Sequence, residues 1–241
     1  MGYSDMSVSP ASDANGQVVV LLLADISHAS RLWGWSRIVK GPQALQGIPG
    51  LLFSKVLGSG YEGGFGLRPS PSRQGMFGLF ESLQTAQDFI ENSSVLQAYQ
   101  DRSDEFCWAL LKTWSCRGSW DGQLLDVCTA QPIKGPVAAL TRASIKLAKA
   151  PAFWRHAPPS QIALADAKGC QLAVGLGEAP FVRQATFTIW DSVSDMNAYA
   201  RSGAHLEAIQ EAAQNDYFSE SMFARFVPLQ VQGQWHGKVY A

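Results

Sequence analysis

Four cysteines, Cys107, Cys116, Cys128 and Cys170, form no C-x-x-C pair and show no metal-ligand spacing. That excludes a zinc ribbon or a thioredoxin-like motif, and reduced thiols are expected. Charge is also scarce: 16% of residues are charged and the formal net charge is -1. Such a chain has no basic stripe to neutralise phosphates, which excludes nucleic acid as the partner. Long apolar runs are missing as well. The longest, Val18 to Ala24, is far below the roughly 20 residues of a membrane span. No signal-peptide pattern opens the chain, so a cytoplasmic setting is expected, with any membrane contact peripheral. The glycine-rich stretch Gly58 to Phe65 lacks the Lys-Ser/Thr ending of a P-loop and leads into no helix. It is not a phosphate cradle.

Aromatic residues, by contrast, are plentiful: eight Trp and twelve Phe in 241 residues, within a hydrophobic content of 46%. Core is the first place for them, and a pocket for a large apolar ligand is the second. Met1 to Gly16 is rich in Ser, Asp, Gly and Ala and is expected to be a disordered lead-in. From there the pattern predicts strand Val18 to Ile26, a helix from Ser30 through Leu45, strand Leu51 to Leu57 and a loop at Pro69 to Ser72. Strand Gln74 to Glu81, helix Leu83 to Arg102 and strand Phe106 to Arg117 follow.

After a linker around Gln131 to Gly135 the profile restarts. Val137 to Ile145 repeats Val18 to Ile26, Phe153-Trp154 repeats Trp33 to Trp35, and the strand ending at Trp235 repeats the one ending at Trp120. An ordered internal repeat of this kind predicts an α+β fold of two tandem ferredoxin-like β-α-β-β-α-β halves, near 17–130 and 136–241. Each half leaves one sheet face bare, so the two are expected to pack sheet to sheet as a barrel-like unit within one chain.

The stretch from Phe187 to Ala213 carries the main functional signal. Strand Phe187 to Trp190 runs into Asp191-Ser192, two good N-caps, and then into helix broken at Ser202-Gly203. Beyond the break, His205, Ala208, Ile209 and Ala212 fall at i, i+3, i+4 and i+7, which puts His205 on an apolar stripe. The matching residue of the first half is Val95. A histidine so placed is either a core residue satisfied by a backbone carbonyl or a ligand. His28, His156 and His236 read as loop, surface or turn residues.

Several stretches together resemble the spheroidene monooxygenase family of carotenoid biosynthesis. They are Ser30-Arg31-Leu32-Trp33, Ile48-Pro49-Gly50-Leu51, Lys55 to Gly60, Ala139 to Ile145, Phe153-Trp154-Arg155, Gly175 to Pro180, Gln184 to Trp190, His205 with its downstream helix, and Tyr217-Phe218 to Phe226. The resemblance implies a haem-dependent oxygenase that installs a keto group on a linear carotenoid, using dioxygen and an electron donor. It also implies a barrel like those of chlorite dismutases, dye-decolourising peroxidases and aldoxime dehydratases, in which a helix of the C-terminal half supplies the iron's histidine. On that reading haem b binds the C-terminal half, His205 is the iron ligand, and Val95 leaves one haem per chain. Thiolate ligation by Cys170 or Cys116 is the rival, without a recognisable thiolate loop to support it.

Arg142 interrupts an otherwise apolar strand, where the first half has Leu23. It is either a buried cation that needs an anion, such as a haem propionate or bound peroxide, or a solvated residue on the strand's wet face. Arg183, Gln184 and Arg225 are the further cofactor-binding candidates, and Lys55 is placed in the first half, where its role can be structural. Two other functions compete with the leading one. The first is a haem enzyme acting on a small N-hydroxylated or peroxide substrate, and the second is a non-catalytic haem- or lipophile-binding protein. Homo-oligomers and peripheral contact with an inner or photosynthetic membrane both fit this picture.

Overall fold

The computed structural model describes residues 16–64, 68–154, 164, 167–179 and 182–241, without the side chains of 204, 205, 208, 209, 212 and 213. The N-terminal lead-in and His156 lie outside the described residues. The first half runs β1 (Val18–Ile26), α1 (Arg31–Lys40), β2 (Leu51–Gly60), β3 (Pro69–Phe80), α2 (Leu83–Asn92), α3 (Ser94–Gln100) and β4 (Ser103–Gly118). The second runs β5 (Val137–Ile145), β6 (Cys170–Ala179), β7 (Arg183–Trp190), α4 (Val193–Ala200), α5 (Gly203–Gln214) and β8 (Phe218–Trp235), with a short β9 (Lys238–Tyr240) beside β8.

One sheet runs β4-β1-β3-β2-β6-β7-β5-β8, and β4 also pairs with β8, closing an antiparallel barrel. The halves therefore join edge to edge rather than sheet to sheet, because unpaired edges of both halves find partners in each other. The two seams are unequal. Strands β4 and β8 pair all the way from Cys107↔Gly233 to Gly118↔Met222. Between β2 and β6 only Gly58↔Gly177 and Ser59↔Leu176 pair, supported by the Ser59 hydroxyl donating to the Gly175 carbonyl at 2.6 Å. The glycine-rich stretch is thus partly a seam of the barrel.

Local chemistry moved several expected boundaries. The helix expected over Leu83 to Arg102 breaks at Ser93, whose side chain accepts from the Val95 N–H at 3.1 Å and caps α3. Helix α1 stops at Lys40 because Gly41 turns to a φ of 53°, a conformation glycine adopts without steric cost. Pro69 to Ser72 belongs to β3 rather than to a loop. Ser192 caps α4 as expected, accepting from the Asp195 N–H at 3.1 Å.

The barrel interior is filled by side chains from both halves, among them Leu21, Phe77, Leu140, Phe187 and Phe226. Outside it, β1 and its neighbours turn Val18, Val20, Leu22, Ala24, Val56 and Met76 toward Ala86, Phe89, Leu96 and Tyr99 of α2 and α3. The corresponding layer of the second half gathers only Trp114, Val137, Leu164, Trp190 and Met196 as buried members among the described residues.

Candidate functional site

Register defines how the two outer faces differ. On the β1–β3 ladder Val18 pairs with Phe80, Val20 with Gly78 and Leu22 with Met76. On the β5–β7 ladder Val137 pairs with Trp190, Ala139 with Thr188 and Thr141 with Thr186. The ladders match position for position, and side chains alternate between faces along a strand. Leu22 and Met76 face outward and are buried by the helical layer. Thr141, in the equivalent place, is exposed, while Ala139, Ala173 and Thr186 are half-buried. Smaller residues stand on this part of the face than in the first half, and among the described residues Thr141 is left exposed.

The rim of the same face is cationic. Arg225 on β8 lies over the Trp114 ring, its guanidinium carbon 5.5 Å from the centroid. Burial, and then the nearby guanidiniums of Arg117 on β4 and Arg201 at the end of α4, push the Arg225 pKa down. Three arginines gathered in this way repel one another unless an anion joins them. Trp114 Nε1 is buried beside them without a hydrogen-bond partner among the described residues. A buried N–H left in that state is costly, and an acceptor arriving from outside would relieve it.

The residues singled out in the sequence divide between the two sides of the sheet. Gln184 and Arg225 lie on the outward face, with Gln184 opposite Ala143 and Gly177. His205 belongs to α5, which packs against α4, and its side chain lies outside the described residues, as do those of Ala208, Ile209 and Ala212. Arg142 is on the other side. Ala138, Leu140 and Arg142 alternate into the barrel interior, and Arg142 is 1% exposed. It is therefore neither solvated nor turned toward the helical layer. Its anions are protein carboxylates: it pairs with Glu220 and lies 3.4 Å from both Glu178 and Asp121. The Trp120 ring stacks against it, 5.6 Å from centroid to guanidinium carbon. Lys55 enters the same network through Asp121 and, at 2.8 Å, Glu178. Arg183 reaches Glu178 at 3.7 Å from the exposed rim. This cluster ties the segment after β4 to one mouth of the barrel.

Glu220 shows how tightly the lock is made. Burial alone would raise its pKa, but the Gly122 and Asp121 N–H groups, the Ser119 hydroxyl and Arg142 outweigh it and hold the pKa at about 2. The thiols behave in the opposite way. Burial pushes Cys170 up to about 11 and Cys116 upward too, and Cys116 packs against the barrel interior. His28 is exposed, and His236 is the positive-φ turn residue between β8 and β9, its N–H donating to Glu105 at 2.9 Å.

Sequence reasoning missed Arg117, Arg201, Trp114 and the small outward residues. The last were detectable, since placing the halves strand by strand sets Thr141 against Leu22. The arginines were not, because β4, α4 and β8 bring them together only in three dimensions.

No family model matches the chain. Among curated proteins, the spheroidene monooxygenase of Rubrivivax gelatinosus is 56% identical over 96% of this chain and 90% of its own length. The chain belongs to the spheroidene monooxygenase family. Family members from Rhodobacter capsulatus and Cereibacter sphaeroides are 34% and 33% identical, each over 86% of this chain and over 87% and 65% of their own lengths. Among solved structures, an aldoxime dehydratase superposes with a TM-score of 0.58 at 10% identity, covering 93% of this chain and 88% of that one. A second aldoxime dehydratase, in complex with butyraldoxime, gives 0.58 at 9% identity over 90% and 81%. At such identities the likeness establishes the barrel fold alone.

Proposed function

We propose that the chain is a haem-dependent monooxygenase that forms a keto group on a linear carotenoid such as spheroidene. The substrate follows from the family's name. The cofactor rests on one observation: of two matching outer sheet faces, the one in the half that carries the His205 helix has Ala139, Thr141, Ala173 and Thr186 where the other is built to bury large apolar residues. In this reading the halves are tandem ferredoxin-like repeats, and only the second has been opened for a ligand.

The residues present fit a haem. His205 would hold its iron, since neutral imidazole is a strong donor to iron. Arg225, Arg117 and Arg201 would bind its propionates in charge-assisted hydrogen bonds, and Trp114 Nε1 is a further donor. When bound, the group supplies an iron centre able to activate dioxygen. The small outward residues, Ala139, Thr141, Ala173 and Thr186, would sit beside it and add no charge on that side of the group. Two hydroxylations at one methylene, each taking one oxygen atom from dioxygen and releasing the other as water with two electrons and two protons from the donor, give a geminal diol. Loss of water then leaves the ketone.

The test is turnover. Haem-loaded protein supplied with spheroidene in vesicles, dioxygen and a reductant is expected to yield a product heavier by one oxygen and lighter by two hydrogens. Haem-loaded protein that leaves spheroidene untouched but dehydrates an aldoxime or consumes peroxide would overturn the carotenoid assignment.

A further inference from the structure

Helix α1 buries one side and offers an apolar stripe on the other. Gly34 is buried and Trp33 and Ile38 pack into the outer core of the first half, while Arg37 donates to the Ala44 carbonyl and lies over the Trp33 and Tyr99 rings. Leu32, Trp35 and Val39 point the other way, 87%, 43% and 84% exposed. Their spacing, i, i+3 and i+7, makes a single ridge. An exposed Leu on its own means nothing, but three large apolar residues aligned along one helix face, tryptophan among them, form a docking surface.

Charge selects the occupant. Helix α1 holds Arg31, Arg37 and Lys40 and no acidic residue, in a chain whose formal net charge is -1. Lys40 is exposed at the C-terminal end of the ridge, and Arg31 at the other end is half-buried, its Nε buried. Cations beside an apolar ridge with an amphipathic indole match the boundary between anionic headgroups and acyl chains. A second copy of the chain would bring the same cations against each other.

We infer that α1 docks the protein on an anionic lipid bilayer, with Leu32, Trp35 and Val39 immersed among the acyl chains and Lys40 at the headgroups. Among the described residues no helix is long and apolar enough to cross a membrane, so the contact is with the surface. The value of docking for catalysis rests on the carotenoid reading, since such a substrate dissolves in bilayers and not in water. The docking itself does not depend on it.

Co-sedimentation of the full chain with vesicles tests this without any turnover. Wild type is expected to bind phosphatidylglycerol vesicles at least ten-fold more tightly than phosphatidylcholine vesicles at low salt. The double variant Leu32→Ser/Val39→Ser should lose at least ten-fold in binding to the anionic vesicles while keeping its thermal midpoint, because neither residue is buried. Lys40→Gln should weaken binding and flatten its salt dependence. Equal binding by wild type and the double variant would overturn the inference. So would wild type that ignores vesicles but sediments as a dimer which the double variant converts to monomer, since the ridge would then be an interface between copies. Failure of vesicle binding leaves the haem reading standing, and failed turnover with intact vesicle binding leaves the docking standing.

Discussion

Thr141 and Thr186 pair across the β5–β7 ladder at the position where Leu22 and Met76 pair across β1–β3. Restoring the first half's residues should therefore close the second half's outer face. Thr141→Leu/Thr186→Met is expected to cut haem retention at least ten-fold, and to leave the haem-free protein as stable or up to about 2 kcal/mol more stable through added apolar burial. Absorbance titration with haem and thermal unfolding of the haem-free variant check the two halves of that outcome.

Arg142 has a structural outcome. Arg142→Leu leaves Glu220 without its cation in the barrel mouth, while Asp121 and Glu178 keep Lys55. Breaking a buried pair from one side costs about 3 kcal/mol, which lowers Tm by roughly 6–12 °C in a chain of this size. Haem content per folded molecule should stay at the wild-type value. A variant with unchanged Tm and lost turnover would instead put Arg142 in the chemistry.

Glu220 gives the acid limb of the stability profile. Its folded pKa of about 2 lies below the usual 4.5, so its contribution is complete above pH 4.5 and fades as the pH falls from there toward 2. Glu220→Gln is expected to lower stability at pH 7 and to flatten the fall between those values, read by urea unfolding across pH.

Legibility followed the reach of each interaction. Strand positions and the Ser192 cap were readable because alternation and capping are local, and the outward–inward pattern of β1 and β5 is set by period 2. The break at Ser93 was readable in principle, since a serine mid-helix can cap a new turn. Edge pairing of Gly58 with Gly177 was not, because the seam depends on where two strands remote in sequence end. For Arg142 the sequence left a buried cation and a solvated one both open, because its carboxylates come from β6, β8 and the segment after β4. Nothing in the sequence around Arg142 distinguishes those from a haem propionate.

The arginine rim predicts a coupling between charge and ligand. Arg225→Leu removes mutual repulsion with Arg117 and Arg201, so the haem-free protein should be no less stable. Haem affinity should fall about ten-fold or more through the lost charge-assisted contact. The deficit should be smaller for a haem whose propionates are esterified, measured by the same titration in wild type and variant.

The central claim, one haem held by His205 on α5, is tested most directly by the absorption and ligation spectra of purified His205→Ala beside wild type, His28→Ala and His236→Ala. Wild type, His28→Ala and His236→Ala should retain haem in equal amounts with a histidine-ligated iron. His205→Ala should lose at least nine-tenths of it at an unchanged haem-free Tm, and added imidazole should restore part of the band. A full Soret band with unaltered iron ligation in His205→Ala would contradict the account.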